Sequence, residues 1–124
     1  MRRQRKYDVW NDAKANRMYL ILNGFFSFWE IRDIKHTIIN ETKKLSSGFQ
    51  AIWDITQLRP LPIKNADELK QALSYMKDYG LEKIILVADF SLMSYVQLSQ
   101  VLKEIGYKAE FADTVEDAKK MLEE

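Results

Sequence analysis

The sequence predicts an α/β fold that opens with a β-hairpin and then alternates strands and helices. Short apolar runs of strand length recur along the 124 residues, and segments with apolar residues at helical spacing lie between them. Capping or turn residues separate the strands from the helices that follow them. Because strand–helix alternation requires crossover connections, we expect a mixed, mostly parallel sheet with helices packed on it.

The first two strands are predicted at Tyr7–Asn11 and Arg17–Asn23. The second strand is nearly all apolar, as in a strand that is buried on both faces, whereas the first alternates and is expected at an edge. A short polar segment joins them, which favours a hairpin.

The first helix is predicted to begin after Ser27, because Ser27 and Glu30 match a capping box. Apolar residues then recur at helical spacing, and Ser46-Ser47-Gly48 ends the helix. A third strand is predicted at Phe49–Ile55, with Asp54 near its end.

The second half of the chain repeats this alternation. Asn65 to Glu68 match a second capping box, and Asp89 is expected to cap a later helix. The predicted elements are a helix from Asn65 to Tyr79, a strand at Lys83–Ala88, a helix at Ser91–Ile105, a short strand at Ala109–Ala112 and a final helix capped by Thr114.

Composition narrows the classes of function. Hydrophobic residues make up 47% of the chain, which is enough for a core, so we expect one domain over residues 1–124. The formal net charge is +1, so the chain has no strong positive electrostatic potential that would attract nucleic acid. Cysteine is absent, which fits the cytoplasm and excludes thiol chemistry and disulfides. We predict neither a signal peptide nor a membrane span, because no sufficiently long apolar run is present.

The order of elements resembles the STAS domain, the domain of anti-sigma-factor antagonists. The best local likeness is Ala51-Ile52-Trp53-Asp54-Ile55-Thr56, which is similar to the family's apolar strand ending in Asp-Leu-Ser/Thr. The segment 112–118 resembles the end of such domains, where a short strand leads into a helix. The resemblance implies a bacterial regulatory module that binds another protein and has no catalytic activity.

The chain departs from that family at the phosphorylated position. Phosphorylatable members carry Asp-Ser-x-Gly just before the second helix, but residues 61–67 read Leu-Pro-Ile-Lys-Asn-Ala-Asp. This segment holds no serine, threonine or glycine. The phosphorylation switch is therefore not carried over to this chain.

No catalytic or metal signature is found in the sequence. Asp54, Asp89 and Asp113 follow apolar runs and resemble the acidic cluster of a receiver domain, but capping and turn roles explain them better. His36 is the only histidine, and it lies within a predicted helix without a catalytic partner at a telling spacing. We therefore expect no catalytic residues, no metal and no cofactor.

A basic arm at the N-terminus gives weak support for contact with nucleic acid. It comprises Arg2, Arg3, Arg5 and Lys6. A nucleic-acid-binding protein usually continues such charge as a stripe on its helices, and this pattern is missing here. Nucleic acid is therefore an unlikely partner, and a receiver-like or nucleic-acid-contacting module is the third hypothesis.

The most unusual stretch is the aromatic turn, residues 24–29, which leads into the first helix and carries four aromatic side chains. Trp29 either covers the end of the sheet, which we favour, or belongs to a contact surface. The proline loop at residues 59–65 and the loop at residues 89–93, which follow strands on the same side, would complete that surface. The candidate contact residues are Phe25, Phe26, Trp29, Pro60, Leu61, Pro62, Asn65, Phe90 and Met93.

Two functions fit these residues. The first is a non-enzymatic STAS-like module that binds another protein through the loops, with the sheet holding them in position. The alternative is a protein that binds a small apolar, lipid-like ligand between the aromatic turn and the proline loop. An enclosed cavity lined by Phe25, Phe26 and Phe90 would favour the ligand, and an exposed apolar patch would favour the protein partner.

Overall fold

The computed structural model describes residues 5–89 and 91–123. Within these ranges the chain forms an opening β-hairpin followed by alternating helices and strands. The elements are β1 (Tyr7–Asp12), β2 (Arg17–Gly24), α1 (Phe28–Thr42), β3 (Gln50–Leu58), α2 (Ile63–Tyr79), β4 (Lys83–Val87), α3 (Met93–Glu104), β5 (Glu110–Ala112) and α4 (Val115–Leu122).

One mixed sheet organises the chain, and its strands lie in the order β1-β2-β3-β4-β5. β1 pairs with β2 in antiparallel orientation, and the other neighbours pair in parallel. In the register, Tyr19 lies opposite Trp10 on one side and Ile52 on the other. The predicted α/β class, with its opening hairpin and mostly parallel sheet, is confirmed.

Three helices cover one face of the sheet. Each crossover from β2 to β5 moves to the next strand, and right-handed crossovers in one direction place their helices on the same face. The main core lies between these helices and the sheet, with Ile34 of α1, Leu73 of α2 and Leu98 of α3 fully buried in it. Trp53 of β3 is its largest buried side chain.

The last helix, α4, packs alone on the opposite face. Ala118 and Leu122 bury against Ile52, Ile85 and Val87, which form a second, smaller core. Thr114 accepts a hydrogen bond from the Asp117 N–H at 3.1 Å, so the predicted cap of this helix is confirmed. The capping box of Ser27 and Glu30 at the start of α1 is confirmed as well.

The second predicted capping box is wrong. Helix α2 begins at Ile63, two residues earlier than expected, with Pro62 at the N-cap and no side-chain cap. Proline is tolerated at this position because the N-cap residue has a non-helical ψ and its own N–H makes no hydrogen bond within the helix. Glu68 is buried instead and pairs with Lys35 of α1 at 3.2 Å.

Two predicted roles of aspartates also need correction. Asp89 does not cap α3, which begins at Met93; its carboxylate accepts hydrogen bonds from the Ser91 N–H at 2.9 Å and the Ser91 hydroxyl at 2.8 Å. Asp54 does not end its strand, because β3 continues to Leu58. Asp54 accepts a hydrogen bond from the Thr56 hydroxyl at 2.7 Å.

Candidate functional site

The carboxyl ends of β2, β3 and β4 lead into three segments that form one edge of the molecule. Loops at this edge are the usual place for binding residues in open α/β sheets. Here they carry exposed apolar side chains, which we call the edge surface. It consists of Phe25, Trp29, Pro60, Pro62, Ile63 and Met93.

Exposure is high for the large side chains of the edge surface. The exposed fractions are 60% for Phe25, 66% for Trp29, 82% for Ile63 and 57% for Met93. Single exposed apolar residues are normal on protein surfaces, but several from different segments at one edge indicate an interaction site.

The aromatic turn divides its side chains between the core and the solvent. Gly24 ends β2 with a φ of 87°, a left-handed conformation that glycine adopts at little cost. Phe25 is exposed after it, whereas Phe26 is fully buried in the main core. Phe26 therefore anchors the turn to the main core, and its side chain is not available as a contact residue.

Trp29 lies on the solvent side of α1. Ile31, Ile34 and Ile38 form the buried stripe of this helix, and Trp29 is two residues, or about 200°, away from Ile31. The interpretation of Trp29 as a cover for the end of the sheet is therefore wrong. Its ring contacts Phe28 edge-to-face, with 5.3 Å between centroids, and the Arg32 guanidinium lies 5.6 Å from its centroid.

The proline loop is held rigidly between β3 and α2. Leu61 is buried, and its backbone is clamped by the Gln97 side chain of α3. The Gln97 carbonyl accepts from the Leu61 N–H at 2.8 Å, and the Gln97 amide donates to the Leu61 carbonyl at 2.7 Å. Pro60 and Pro62 on either side are exposed.

Asn65 joins the aromatic turn to the proline loop. It is only 2% exposed, and its side-chain amide donates to the Phe26 carbonyl at 2.8 Å. A backbone hydrogen bond from Arg59 to the Gly24 carbonyl at 3.0 Å makes a second link. Asn65 and Leu61, both predicted as contact residues, thus fix the edge surface from behind.

The third segment contributes Met93 at the start of α3. The turn before it is ordered by Asp89, and the Ser91 N–H and hydroxyl that bond to Asp89 lower the pKa of its carboxyl group. Phe90, the remaining predicted contact residue, lies outside the described residues.

Neither metal chemistry nor a membrane-crossing element is apparent in these parts of the chain. Among residues 5–89 and 91–123, no group of three or more His, Cys, Asp or Glu side chains is arranged to hold a metal ion. The helices in the same ranges are too short or too polar to cross a membrane. His36 is exposed on α1, as expected for a lone helical histidine.

Sequence reasoning missed Ile63, the most exposed large apolar residue of the edge surface. The predicted helix begins at Asn65, which leaves Ile63 in the loop before it. Because α2 starts at Ile63, this residue lies six positions, or about 240° around the helix, from Leu69 on the buried side of α2. Its side chain therefore faces the solvent. The signal was available in Pro62, a residue common at helix starts.

A scan of protein-family models and a search of curated proteins find no match for this chain.

Proposed function

We propose that this chain is a non-enzymatic protein–protein interaction module and that the edge surface is its contact site. The observation that carries this proposal is the exposure of Phe25, Trp29, Ile63 and Met93 on three separate segments of one sheet edge. Large apolar and aromatic side chains provide most of the binding free energy in protein interfaces, because a partner removes them from water.

The rigid support beneath these side chains favours a preformed contact site. The bonds of Asn65 to Phe26 and of Gln97 to Leu61 tie the three segments together. A surface that is already ordered loses little conformational entropy on binding, so more of the contact free energy appears as affinity.

The likeness to the STAS domain is part of the proposal. Members of that family act through partner proteins, and the same role in the bacterial cytoplasm suits a module without a phosphorylation motif in residues 61–67. Regulation of this chain would then depend on which partner is present rather than on a modified serine.

The structure gives less support to an apolar ligand between the aromatic turn and the proline loop. Phe26 belongs to the core and Phe25 is exposed, so the two rings do not share an environment. Neither ring lines the cleft beside Trp10 and Lys119 or the cleft beside Tyr95 and Tyr107. The exposed patch therefore favours a protein partner.

Site-specific photo-cross-linking in cells tests the proposal. A photoreactive phenylalanine analogue replaces Trp29 in one variant and Ile63 in another. The matched control carries it at Lys120, an exposed residue of α4 on the other face of the sheet. We expect the same partner to be captured from positions 29 and 63 and not from position 120.

Alanine substitutions at positions 29 and 63 also allow a test of binding to the captured partner. Trp29→Ala and Ile63→Ala should each weaken the interaction at least tenfold without changing the midpoint of unfolding, because both side chains are exposed in the free protein. Equal cross-linking at all three positions, or at none of them, would overturn the proposal.

A further inference from the structure

A small cleft opens on the second face of the sheet, between the hairpin and α4. Its volume is about 240 Å³, below the usual range for drug-sized ligands. Helix α4 packs on β3, β4 and β5, and it reaches Tyr19 of β2 at the border of the cleft. The cleft shares no residue with the edge surface; it is lined by Trp10, Asp12, Tyr19, Leu20, Ile21, Ile52, Asp54, Val115 and Lys119.

The floor and one wall of the cleft are apolar and aromatic. Ile52 lies opposite Tyr19 and Ile21 lies opposite Asp54 in the pairing of β2 with β3, and Trp10 stacks on Tyr19 across the hairpin. The ring centroids are 5.2 Å apart with an angle of 7° between the planes. Tyr19 is the buried member of this stacked pair, whereas Trp10 remains 40% exposed. The cleft therefore presents an aromatic surface to the solvent.

Charges of both signs line the same small space. The Lys119 ammonium lies 5.7 Å from the Tyr19 ring centroid and 3.6 Å from the Glu116 carboxylate. Asp54 is half-buried, and one of its oxygens accepts from the Thr56 N–H and hydroxyl. Its second oxygen accepts no hydrogen bond from the described residues. Asp12 is exposed and bonds to the Ala15 N–H in the hairpin turn.

We propose that this cleft binds a small zwitterion with an apolar body, of the chemical class of a free aromatic or aliphatic amino acid. The apolar body packs on Trp10 and Ile21, the ammonium group pairs with the free oxygen of Asp54, and the carboxylate pairs with Lys119. This arrangement uses both charges in a space that a single amino acid fills. Charge-assisted hydrogen bonds of this kind provide affinity together with orientation.

Alternative ligand classes fit the cleft less well. An organic cation meets repulsion from Lys119, and an anion meets repulsion from Asp54 and Asp12. A purely apolar molecule leaves the half-buried Asp54 oxygen without a donor and removes it from water, which opposes binding. A zwitterion offers an ammonium group to Asp54 and a carboxylate to Lys119 in one molecule.

A three-ligand titration tests the proposal. Phenylalanine carries both charges, phenethylamine lacks the carboxylate, and 3-phenylpropionate lacks the ammonium group. Binding is followed by the indole N–H signal of Trp10 in ¹⁵N-labelled protein, assigned with Trp10→Phe; the signals of Trp29 and Trp53 serve as internal controls. We expect a saturable shift at Trp10, with phenylalanine binding at least tenfold more tightly than either analogue.

Two variants separate the contributions of the charges. Asp54→Asn keeps an oxygen for Thr56 and should weaken phenylalanine binding about tenfold, whereas 3-phenylpropionate should bind no more weakly because the repulsion from Asp54 is removed. Lys119→Gln should weaken phenylalanine binding similarly, whereas phenethylamine should bind no more weakly because the repulsion from Lys119 is removed. The matched controls Asp113→Asn and Lys120→Gln alter neighbouring exposed residues outside the cleft and should change neither affinity.

The proposal is overturned by the absence of a saturable shift at Trp10, or by equal affinity for all three ligands in the wild type and both variants. An unchanged Trp53 signal shows that a variant is folded, since Trp53 is buried in the main core. Because the cleft and the edge surface share no residue, either proposal can fail without the other.

Discussion

Asn65 shows how one buried polar side chain holds the edge surface together. Its amide satisfies the Phe26 carbonyl, which otherwise lies buried without that donor. We expect Asn65→Ala to lower the free energy of unfolding by about 1–3 kcal/mol, because a buried acceptor loses its partner. Urea unfolding measures the change, and Asn40→Ala, at an exposed position of α1, is the matched control. Equal effects of the two substitutions would show that the Asn65 bond contributes nothing.

Trp29 and Trp53 are the same residue type in opposite environments. Trp53 is fully buried in the main core, and Trp29 is mostly exposed. We expect Trp53→Ala to cost about 3–5 kcal/mol through the cavity that it leaves, and Trp29→Ala to cost less than about 0.5 kcal/mol. Urea midpoints with unchanged slopes would measure both. A large loss for Trp29→Ala would place this residue among those that stabilise the fold rather than those that bind.

At the scale of a single element, the capping box of α1 makes the stability of the fold depend on pH. The hydrogen bond from Lys6 and that from the Ser27 N–H lower the pKa of Glu30. Because the folded-state pKa lies below the unfolded value, ionised Glu30 stabilises the fold above the ordinary pKa of about 4.5. This contribution is lost as the pH falls through the lower, folded-state value.

The variant Glu30→Gln tests this linkage. We expect it to be slightly less stable than the wild type at neutral pH, since the pair with Lys6 is half-exposed and screened by solvent. The difference should shrink as the pH falls below the ordinary pKa. Urea unfolding over a pH series measures it, and the difference between Lys6→Gln and the wild type should also shrink in acid, while the Ser27 N–H still bonds to Glu30 in that variant. A difference that grows in acid would contradict the assignment.

The N-cap of α4 gives a second test at this scale. Thr114→Ala removes the acceptor for the Asp117 N–H and should cost about 1 kcal/mol. Thr37→Ala is the control, because Thr37 lies inside α1 and its hydroxyl bonds to the Asp33 carbonyl one turn earlier. That change should be neutral or slightly stabilising, since alanine is the better helix former. The comparison of urea midpoints would contradict the cap if both variants behaved alike.

Elements with strong local signals were predictable from the sequence, and those fixed by contacts between elements were not. The Ser27 and Thr114 caps act within four residues, so their sequence pattern was sufficient. Glu68 and Asn65 matched the same pattern, but tertiary contacts with Lys35 and Phe26 determine their positions. The exposure of Trp29 was missed because its burial depends on how α1 is rotated against the sheet.

The cleft on the second face could not be predicted from the sequence. It brings Trp10 of the hairpin, Asp54 of β3 and Lys119 of α4 together, and these residues are far apart in the chain. Their proximity depends on the register of the hairpin and on the passage of α4 to the opposite face. No local pattern encodes that passage.

For the whole molecule, the two faces of the sheet differ in how much apolar packing holds their helices in place. On the main face α1 and α2 pack against each other as well as the sheet, and long apolar side chains fill the core. On the second face, α4 has eight residues and packs on the sheet alone with a few apolar contacts. Segments with few buried contacts open at a lower free energy than the global unfolding free energy.

We therefore predict that α4 opens without global unfolding. In native-state hydrogen exchange, amides of α4 should exchange through a local opening, whereas amides of β3 and β4 should exchange only through global unfolding.

Leu122→Ala should lower the protection of α4 and leave that of the central strands nearly unchanged. Leu73→Ala, in the main core, should lower the protection of the central strands. If Leu122→Ala lowers the protection of β3 and β4 as much as that of α4, the two cores unfold as one unit. A local opening would expose Ile52 and Val87 and remove the Lys119 wall of the cleft, so a ligand bound there should also slow exchange in α4.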